Sequence, residues 1–461
     1  MDVARLNFSH GTHEFHAGLI ETIRSCAAAA NKTVAIMQDL QGPKIRAGKL
    51  PPEGIELKTG QKYCLHPEGT SPRTLQQGAT PLPIMAEIAA AVAADVRPGA
   101  RILFDDGKIA TRALHVDGAE IHVLVEVGGK LTSHKGMNLP GTPLSIPCLT
   151  EKDREDLRFG VSKKVDAVAL SFVRSSEDIL NLKDEIRALT PEPPMVVAKI
   201  EREEAVDQME SIIEVSDALL VARGDMAVEV GAWRVPGIQK QLIKSCNELG
   251  VPIITATQML ESMISSPTPT RAEASDVANA VFDGTDCVML SGETASGQYP
   301  IEAVKLMSRI IEEAEQNKDF YTSRDILPLP GSIVESIEFS ASRIANHVGA
   351  VAIACLTHSG MAARFLAKFR PYKPIVAIMD NEQQLRRLAF VWGVRGVIIP
   401  KIVATDDLFA MVESTLLSNK LAENDDFIVV TAGVPTLRRG TTNMIKLHKI
   451  GAQSEKAQRK L

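Results

Sequence analysis

The 461-residue sequence is poor in aromatic residues, which make up 4% of it, and it carries only two tryptophans. So few rings give no basis for a base-stacking nucleic-acid platform. Strong positive charge is also missing. The formal net charge is −6 at pH 7, so neither nucleic acid nor an anionic membrane is expected as the main partner. No apolar run is long enough to cross a bilayer, and Met1–Asp2–Val3–Ala4–Arg5 has none of the shape of a secretory signal. The six cysteines (26, 64, 148, 246, 287 and 355) lie far apart, with no Cys-x-x-Cys pair. That spacing excludes a zinc knuckle or a dithiol redox motif and leads us to expect a reducing, cytoplasmic setting. Neither a Gly-x-x-x-x-Gly-Lys-Ser/Thr loop nor a Gly-x-Gly-x-x-Gly turn occurs, so a bound nucleotide would be held by other means.

What is present is a rhythm of short aliphatic runs that break into charge. Met195–Val196–Val197 leads into Ala198–Lys199–Ile200–Glu201, and Ala218–Leu219–Leu220–Val221 leads into Ala222–Arg223–Gly224–Asp225. Such runs read as buried parallel strands. Further runs at Ala167–Phe172, Pro252–Ala256 and Cys287–Leu290 end in Ser171, in Thr257 and Gln258, and in Ser291 and Glu293. Helical segments separate them, as in a (β/α) barrel whose chemistry sits at the strand exits. Two more strands, Val3–Phe8 and Thr33–Met37, flank a helix expected over about His13–Ala30. That makes seven strands, where a closed barrel of this type has eight. We therefore expect a first strand to be missing ahead of residue 1, and with it reduced stability or activity. His10, His13 and His16 are not expected to hold a metal, because helical zinc pairs use four-residue spacing.

From residue 48 to 147 the texture changes to glycine, proline and short β-like runs punctuated by Asp106–Gly107, Asp117–Gly118 and Gly128–Gly129. This reads as an inserted, mostly antiparallel β domain. We divide the chain into a barrel (1–47 and 148–328), the insertion (48–147) and a carboxyl-terminal doubly wound α/β domain (329–461).

Two carboxylates at neighbouring strand exits, Glu201 and Asp225, suit a Mg²⁺ ion that keeps positions for substrate oxygens. Lys199 lies two residues from Glu201, so both point to one side of the strand, where an ammonium can stabilise an enolate or a transferring phosphoryl group. Arg5 offers a bidentate phosphate clamp. Gly224 allows close approach of a substrate anion, and Thr257 offers a hydroxyl.

These stretches, with Ala4–Gly11, Ala256–Met263, Pro269–Glu273, Ser275–Ala280 and Met289–Ala295, resemble the pyruvate kinase family in order along nearly the whole chain. The resemblance implies phosphoryl transfer from phosphoenolpyruvate to ADP, giving pyruvate and ATP, on a TIM-type (β/α)8 barrel with a β-barrel lid and a carboxyl-terminal α/β domain. It implies Mg²⁺ on Glu201 and Asp225, with Mn²⁺ as a substitute. Lys199, Thr257 and Arg5 would be catalytic. Arg5, Lys199, Gly224, Asp225 and Thr257 would bind substrate, and Asn7, His10, Arg46 and Lys135 the nucleotide. Ser291 and Glu293 would support the last strand. A cytoplasmic homotetramer is also implied.

One departure bears on cofactors. Members that need K⁺ carry a Glu where this chain has Lys44, and hold the ion near positions matching Asn7, Ser9, Asp39 and the carbonyl of Leu40. A fixed ammonium supplies that charge, so K⁺ is not expected to be required. Thr357–Met361, Thr431–Pro435 and Gly440–Thr442, with Arg438 and Arg439, form a candidate phosphate loop in the third domain. Two alternatives stand beside the main reading: an inactive or truncated paralogue, and another Mg²⁺-dependent barrel lyase acting on pyruvate or enolpyruvate.

Overall fold

A computed structural model describes residues 1–73, 78–317, 326–399, 408–434 and 442–451. Pro435, Arg438, Arg439, Gly440 and Thr441 of the candidate phosphate loop lie outside them, as does the tail after Gly451.

The chain opens with strand β1 (Val3–Asn7), a helix over His13–Ala29 capped by the Thr12 hydroxyl, and β2 (Ala35–Asp39). The second strand starts and ends two residues later than its hydrophobic run, so Gln38 and Asp39 belong to the strand and are buried in it. His13 and His16 are structural. His13 bonds Asp156 at 2.7 Å, and His16 stacks on Phe8 with ring centroids 4.0 Å apart.

The insertion follows, with β3 (Ile55–Leu57), β4 (Lys62–Pro67), β5 (Ala79–Ile84), β6 (Arg101–Phe104), β7 (Ile109–Asp117), β8 (Glu120–Val127), β9 (Gly129–Leu131) and β10 (Met137–Asn138). Six of these form a sheet in the order β10-β6-β7-β8-β4-β5, antiparallel except for β4 and β5. Residues 45–48 close it. The Ile45 carbonyl accepts from Met137 N, Ala47 N donates to the Lys135 carbonyl, and Gly48 N donates to the Pro83 carbonyl. One short segment thus stitches β10 to β5, leaving few bare edges. The interior is filled by Leu65, Leu82, Ile102, Phe104 and Val123, with the helix Ala86–Asp95 packed against them.

The parallel sheet resumes with β11 (Ala167–Leu170), β12 (Met195–Ile200), β13 (Ala218–Ala222), β14 (Ile253–Ala256) and β15 (Cys287–Met289). Its seven strands run in chain order, β1-β2-β11-β12-β13-β14-β15, each joined to the next by helices, as in the TIM-type fold. The helix after β10 begins at Thr150 with the anticipated capping box to Asp153. Small and medium side chains (Ala35, Met37, Ala169, Val197, Leu220 and Ile254) fill the inside of the curled sheet.

The third region forms a five-stranded sheet of β16 (Ala352–Leu356), β17 (Ile375–Met379), β18 (Val394–Ile398), β19 (Phe427–Gly433) and β20 (Thr442–Lys449) in the order β18-β17-β16-β19-β20. The edge strand β20 is antiparallel, a departure from a purely parallel doubly wound sheet. This region abuts the amino ends of the barrel strands. Phe390 is fully buried among the barrel's interior side chains. Arg370 pairs with Asp286 at 3.0 Å and donates to the Gly284 carbonyl at 2.6 Å, while Arg386 pairs with Asp166 at 2.7 Å and Arg387 reaches the Pro193 carbonyl. Asp166, Pro193 and Asp286 each lie just ahead of a barrel strand, so the opposite, carboxyl ends stay open.

Candidate active site

The open ends converge on Lys199. It leaves β12 near its carboxyl end, and its neighbours on the pleat, Ala198 and Ile200, are fully buried. Its ammonium is held by three groups: Glu201 Oε1 at 2.9 Å, Asp39 Oδ1 at 3.2 Å and Ser171 Oγ at 2.7 Å. Ser171 in turn donates to the Leu40 carbonyl at 2.8 Å. Burial disfavours the charged lysine, but Asp39 and Glu201 outweigh it and hold the ammonium above its ordinary range. It stays a cation throughout neutral pH.

Asp39 also binds Arg5, whose Nε and Nη2 lie 2.7 and 2.6 Å from Oδ2. Burial pushes the Asp39 carboxyl up, yet Lys199 and Arg5 overcome it and keep it below the usual carboxylate range. The parallel register that sets Arg5 beside Met37 and Asn7 beside Asp39 brings the two side chains to one strand end.

Glu201 accepts from the Phe172 amide at 2.7 Å through its other oxygen. Burial raises its carboxyl above the ordinary value. Lys199 opposes the rise, and the nearby negative charge of Asp225 adds to it. Asp225 makes no hydrogen bond to the described residues and faces the cleft beneath the insertion. Two carboxylates that repel one another, one without a donor, fit an oxygen-loving divalent cation with sites left for other oxygens. Neither neutral imidazole nor thiolate takes part, so the donor set favours a hard ion.

Asp225 sits in the first turn of the helix Arg223–Val230. The Gly224 amide at that turn donates to Thr257 Oγ1 at 2.8 Å. Thr257 and Gln258 both have positive φ, +69° and +54°, and Arg223 fixes this kink. Its guanidinium donates to the Thr257 carbonyl at 2.7 Å and the Ala256 carbonyl at 3.2 Å, and pairs with Asp276 at 2.7 Å. Glu293 ties the neighbouring loop down by accepting from Leu260 N and Ser291 N at 3.1 and 2.7 Å.

The insertion overhangs this floor. The cleft between them is lined by Lys44, Asn138, Arg174, Asp225 and Glu229, among others. Asn138 of the insertion donates to Glu229 of the barrel at 3.4 Å. Arg174 grips the returning chain at the Leu144 and Ile146 carbonyls (2.6 and 3.2 Å), and Arg202 at the Thr142 carbonyl (3.0 Å).

The residues singled out from sequence fall into two groups. Arg5, Asp39, Lys199, Glu201, Gly224, Asp225 and Thr257 come together at the strand ends. Asn7 is next to them, with Oδ1 accepting from Ser9 N at 3.1 Å. Arg46 and Lys135 sit side by side where residues 45–48 meet the insertion. Arg46 donates to the His134 carbonyl at 3.1 Å, and Lys135 pairs with Asp105 at 2.6 Å within the insertion. His10 is exposed, its carbonyl accepting from His16. Lys44 is exposed on the cleft wall. Sequence reading did not credit Ser171, Arg223 or Arg174 with these roles. The polar residue closing an apolar strand was the available signal for the first two.

Comparison with known proteins agrees with this architecture. A family model described as pyruvate kinase, barrel domain, matches residues 1–304, and one described as pyruvate kinase, alpha/beta domain, matches residues 335–448. A pyruvate kinase of Geobacillus stearothermophilus is 44% identical over 463 residues, covering 99% of this chain and 77% of that relative. One from Staphylococcus aureus (strain MRSA252) is 44% identical over 465 residues, covering 98% of this chain and 76% of the relative. Among solved structures, a pyruvate kinase from Cryptosporidium parvum superposes with a TM-score of 0.90 at 36% identity, covering 98% of this chain and 91% of that one.

Proposed function

Because the chain belongs to the pyruvate kinase family, we propose that the cluster around Lys199 transfers the phosphoryl group of phosphoenolpyruvate to ADP, yielding pyruvate and ATP. The observation that carries the assignment of roles is the buried Lys199 ammonium, shared between Asp39 and Glu201, with the Asp225 carboxylate close enough to act on Glu201.

In this reading Glu201 and Asp225 hold Mg²⁺, with Mn²⁺ as a substitute. When bound, the ion draws negative charge from the substrate's carboxylate and phosphoryl oxygens. Arg5, oriented by Asp39, clamps the phosphate with its remaining guanidinium N–H groups. The first-turn backbone of the helix Arg223–Val230, at Gly224 and Asp225, faces the substrate carboxylate. As the P–O bond to the enol oxygen breaks, charge builds on that oxygen and on the transferring group. Lys199 is placed to stabilise both. The enolate is then protonated at carbon, and the Thr257 hydroxyl lies on the path of that proton. Asn7, His10, Arg46 and Lys135 bind ADP, the last carried over the site by the insertion acting as a lid.

Lys44 stands on the cleft wall as a fixed cation, which supports activity without K⁺. Of the positions where other members hold that ion, Asp39 is here paired with Arg5 and Lys199, and the Leu40 carbonyl accepts from Ser171. We extend the family reading to a homotetramer working in the cytoplasm.

The test is ATP production from phosphoenolpyruvate and ADP by the purified chain, with Mg²⁺ and after chelation. Turnover that disappears on chelation and returns with Mg²⁺ is expected. A folded protein that makes no ATP with Mg²⁺ present would overturn the reading.

A further inference from the structure

The outer face of the lid barrel carries a cluster that the chemistry above does not use. Cys64 on β4 lies opposite His122 on β8, and Glu120 is two residues back along the same face of β8. Their neighbours Tyr63, Leu65, Ile121 and Val123 point into the core. The alternation of the pleat thus gathers a thiol, an imidazole and a carboxylate on one patch. All three are buried, at 0%, 2% and 6% exposure. Cys64 Sγ is 3.8 Å from Glu120 Oε2 and 3.8 Å from His122 Nε2, and the three potential ligand atoms all lie within 4.8 Å of one another. Bond lengths of about 2.3 Å to sulfur and 2.0–2.2 Å to nitrogen or oxygen put neighbouring ligands of a tetrahedral ion roughly 3.5 Å apart. The two separations to the sulfur need only a few tenths of an ångström of closure.

Two further features favour an ion over a polar cluster that is complete in itself. The Nε2 of the buried His122, the ring nitrogen that faces the cluster, has only the Cys64 sulfur as a partner among the described residues, a weak one at 3.8 Å. Buried polar atoms left so are costly. The charges also balance, since a thiolate, a carboxylate and a neutral imidazole around a divalent cation sum to zero, which a buried site requires.

The remaining surroundings are built as well. The other Glu120 oxygen is fixed by the Arg73 amide at 2.6 Å. A bulge in β7 at Ala113–His115 turns His115 opposite His122, and their rings stack with centroids 4.1 Å apart. Burial keeps the His122 imidazole below its ordinary range and so neutral. Burial and Glu120 push the Cys64 thiol up to about 12, so it stays protonated until a cation displaces the proton.

We propose that Cys64, Glu120 and His122 form a binding site for a borderline-soft divalent cation of the Zn²⁺ class, one that pins β4 to β8 on the outer face of the lid. Binding breaks the Cys64 S–H bond, forms a metal–sulfur bond and releases the proton to solvent. The site is distinct from the carboxylate pair at the strand ends: it lies on β4 and β8, whereas the insertion meets the barrel through the β10 end of its sheet.

The experiment uses the full chain, stripped with a chelator, supplied with excess Mg²⁺ to occupy the Glu201–Asp225 carboxylates, and titrated with Co²⁺. A thiolate-to-cobalt charge-transfer band in the near ultraviolet, saturating at one equivalent and abolished by Zn²⁺, is expected. It persists in Cys26→Ala and is lost in Cys64→Ala and His122→Ala. Far-ultraviolet circular dichroism and turnover with Mg²⁺ should be unchanged in Cys64→Ala, which separates loss of the ligand from loss of the fold. A wild-type chain that shows no such band, or a band that survives Cys64→Ala, would overturn the proposal. Either result would leave the phosphoryl-transfer reading untouched.

Discussion

Arg223 grips the backbone of Thr257, its Nη2 donating to the Thr257 carbonyl at 2.7 Å while Thr257 stands at φ +69°. A threonine in the left-handed region costs about 1–2 kcal/mol. The guanidinium fork, itself anchored on Asp276, is what over-determines that conformation and aims the Thr257 hydroxyl at the Gly224 amide. A lysine can pair with Asp276 but cannot serve the Ala256, Thr257 and Gln258 carbonyls together. Arg223→Lys should therefore lower kcat on the order of 10–100-fold with a smaller change in KM, because misplacement of the reacting geometry is penalised mostly in the transition state. Steady-state kinetics with phosphoenolpyruvate as the varied substrate checks it. Unchanged kcat would show that the kink holds without the fork.

Removing the ammonium at the centre should be more severe. Lys199→Met keeps the volume of the stem but leaves Asp39 and Glu201 facing one another without their shared cation. Loss of one preorganised transition-state donor costs about 10²–10³ in kcat, and we expect a fall of at least that order. Lys199→Arg should not restore the rate, since a planar fork cannot occupy the pocket shaped by Ser171, Asp39 and Glu201. Rapid-quench measurement of single-turnover ATP formation distinguishes a chemical defect from slow product release.

The carboxyl-terminal domain carries a pH-dependent weakness. Glu338, on the helix Ile333–Val348, is fully buried with neither carboxylate oxygen hydrogen-bonded among the described residues. Burial pushes its carboxyl up to about 8, and Thr431 offsets little of that. The folded state therefore keeps a proton that the unfolded chain, with an ordinary value of 4.5, releases. Stability from this group is complete below pH 4.5, declines as pH rises toward 8, and is flat above it. The total is on the order of 4–5 kcal/mol. Glu338→Gln should remove that slope and raise the melting temperature at pH 8 more than at pH 5. Thermal denaturation at the two pH values reads it directly, and equal shifts at both would contradict a buried titrating carboxyl.

Monovalent cations provide a further check. If the exposed ammonium of Lys44 stands in for K⁺, turnover in a buffer free of K⁺ and NH₄⁺ should match that in 0.1 M KCl, an ionic strength giving a Debye length of about 10 Å. Tetramethylammonium chloride keeps screening constant in the comparison. Lys44→Glu should lose most of its activity in the K⁺-free buffer and recover part of it with KCl. A wild-type chain that is itself silent without K⁺ would exclude the substitution.

Much of this arrangement was legible because each barrel strand is a short aliphatic run that stops at a polar residue. Lys199, Glu201, Asp225 and Thr257 announce themselves by ending such runs. Asp39 did so as well, but a linear reading could not show that it would be the counter-ion of both Arg5 and Lys199. That depends on the order β1-β2-β11-β12 and on how the sheet curls. Ser171 and Arg223 were visible as strand-end residues, yet their roles lie in carbonyl contacts that no side-chain pattern encodes. The closure of the lid by residues 45–48 was hidden for a related reason: Ile45–Gly48 has no alternation and makes isolated backbone bridges. The cluster of Cys64, Glu120 and His122 was missed because its members are 56 and 58 residues apart, far from any linear metal motif.

The burial of Phe390 among the interior side chains of the barrel has a mechanical consequence. With Arg370, Arg386 and Arg387 bound just ahead of the strands, the carboxyl-terminal domain is keyed into the roots of the elements whose tips carry Lys199, Asp225 and Thr257. The lid, by contrast, hangs on two chain crossings, of which the returning one is gripped by Arg174 and Arg202. The soft degree of freedom is therefore at one end of the barrel and the stiff coupling at the other. A ligand settling on the carboxyl-terminal sheet would be felt at the strand tips by displacement of their bases, with no need for that domain to swing away.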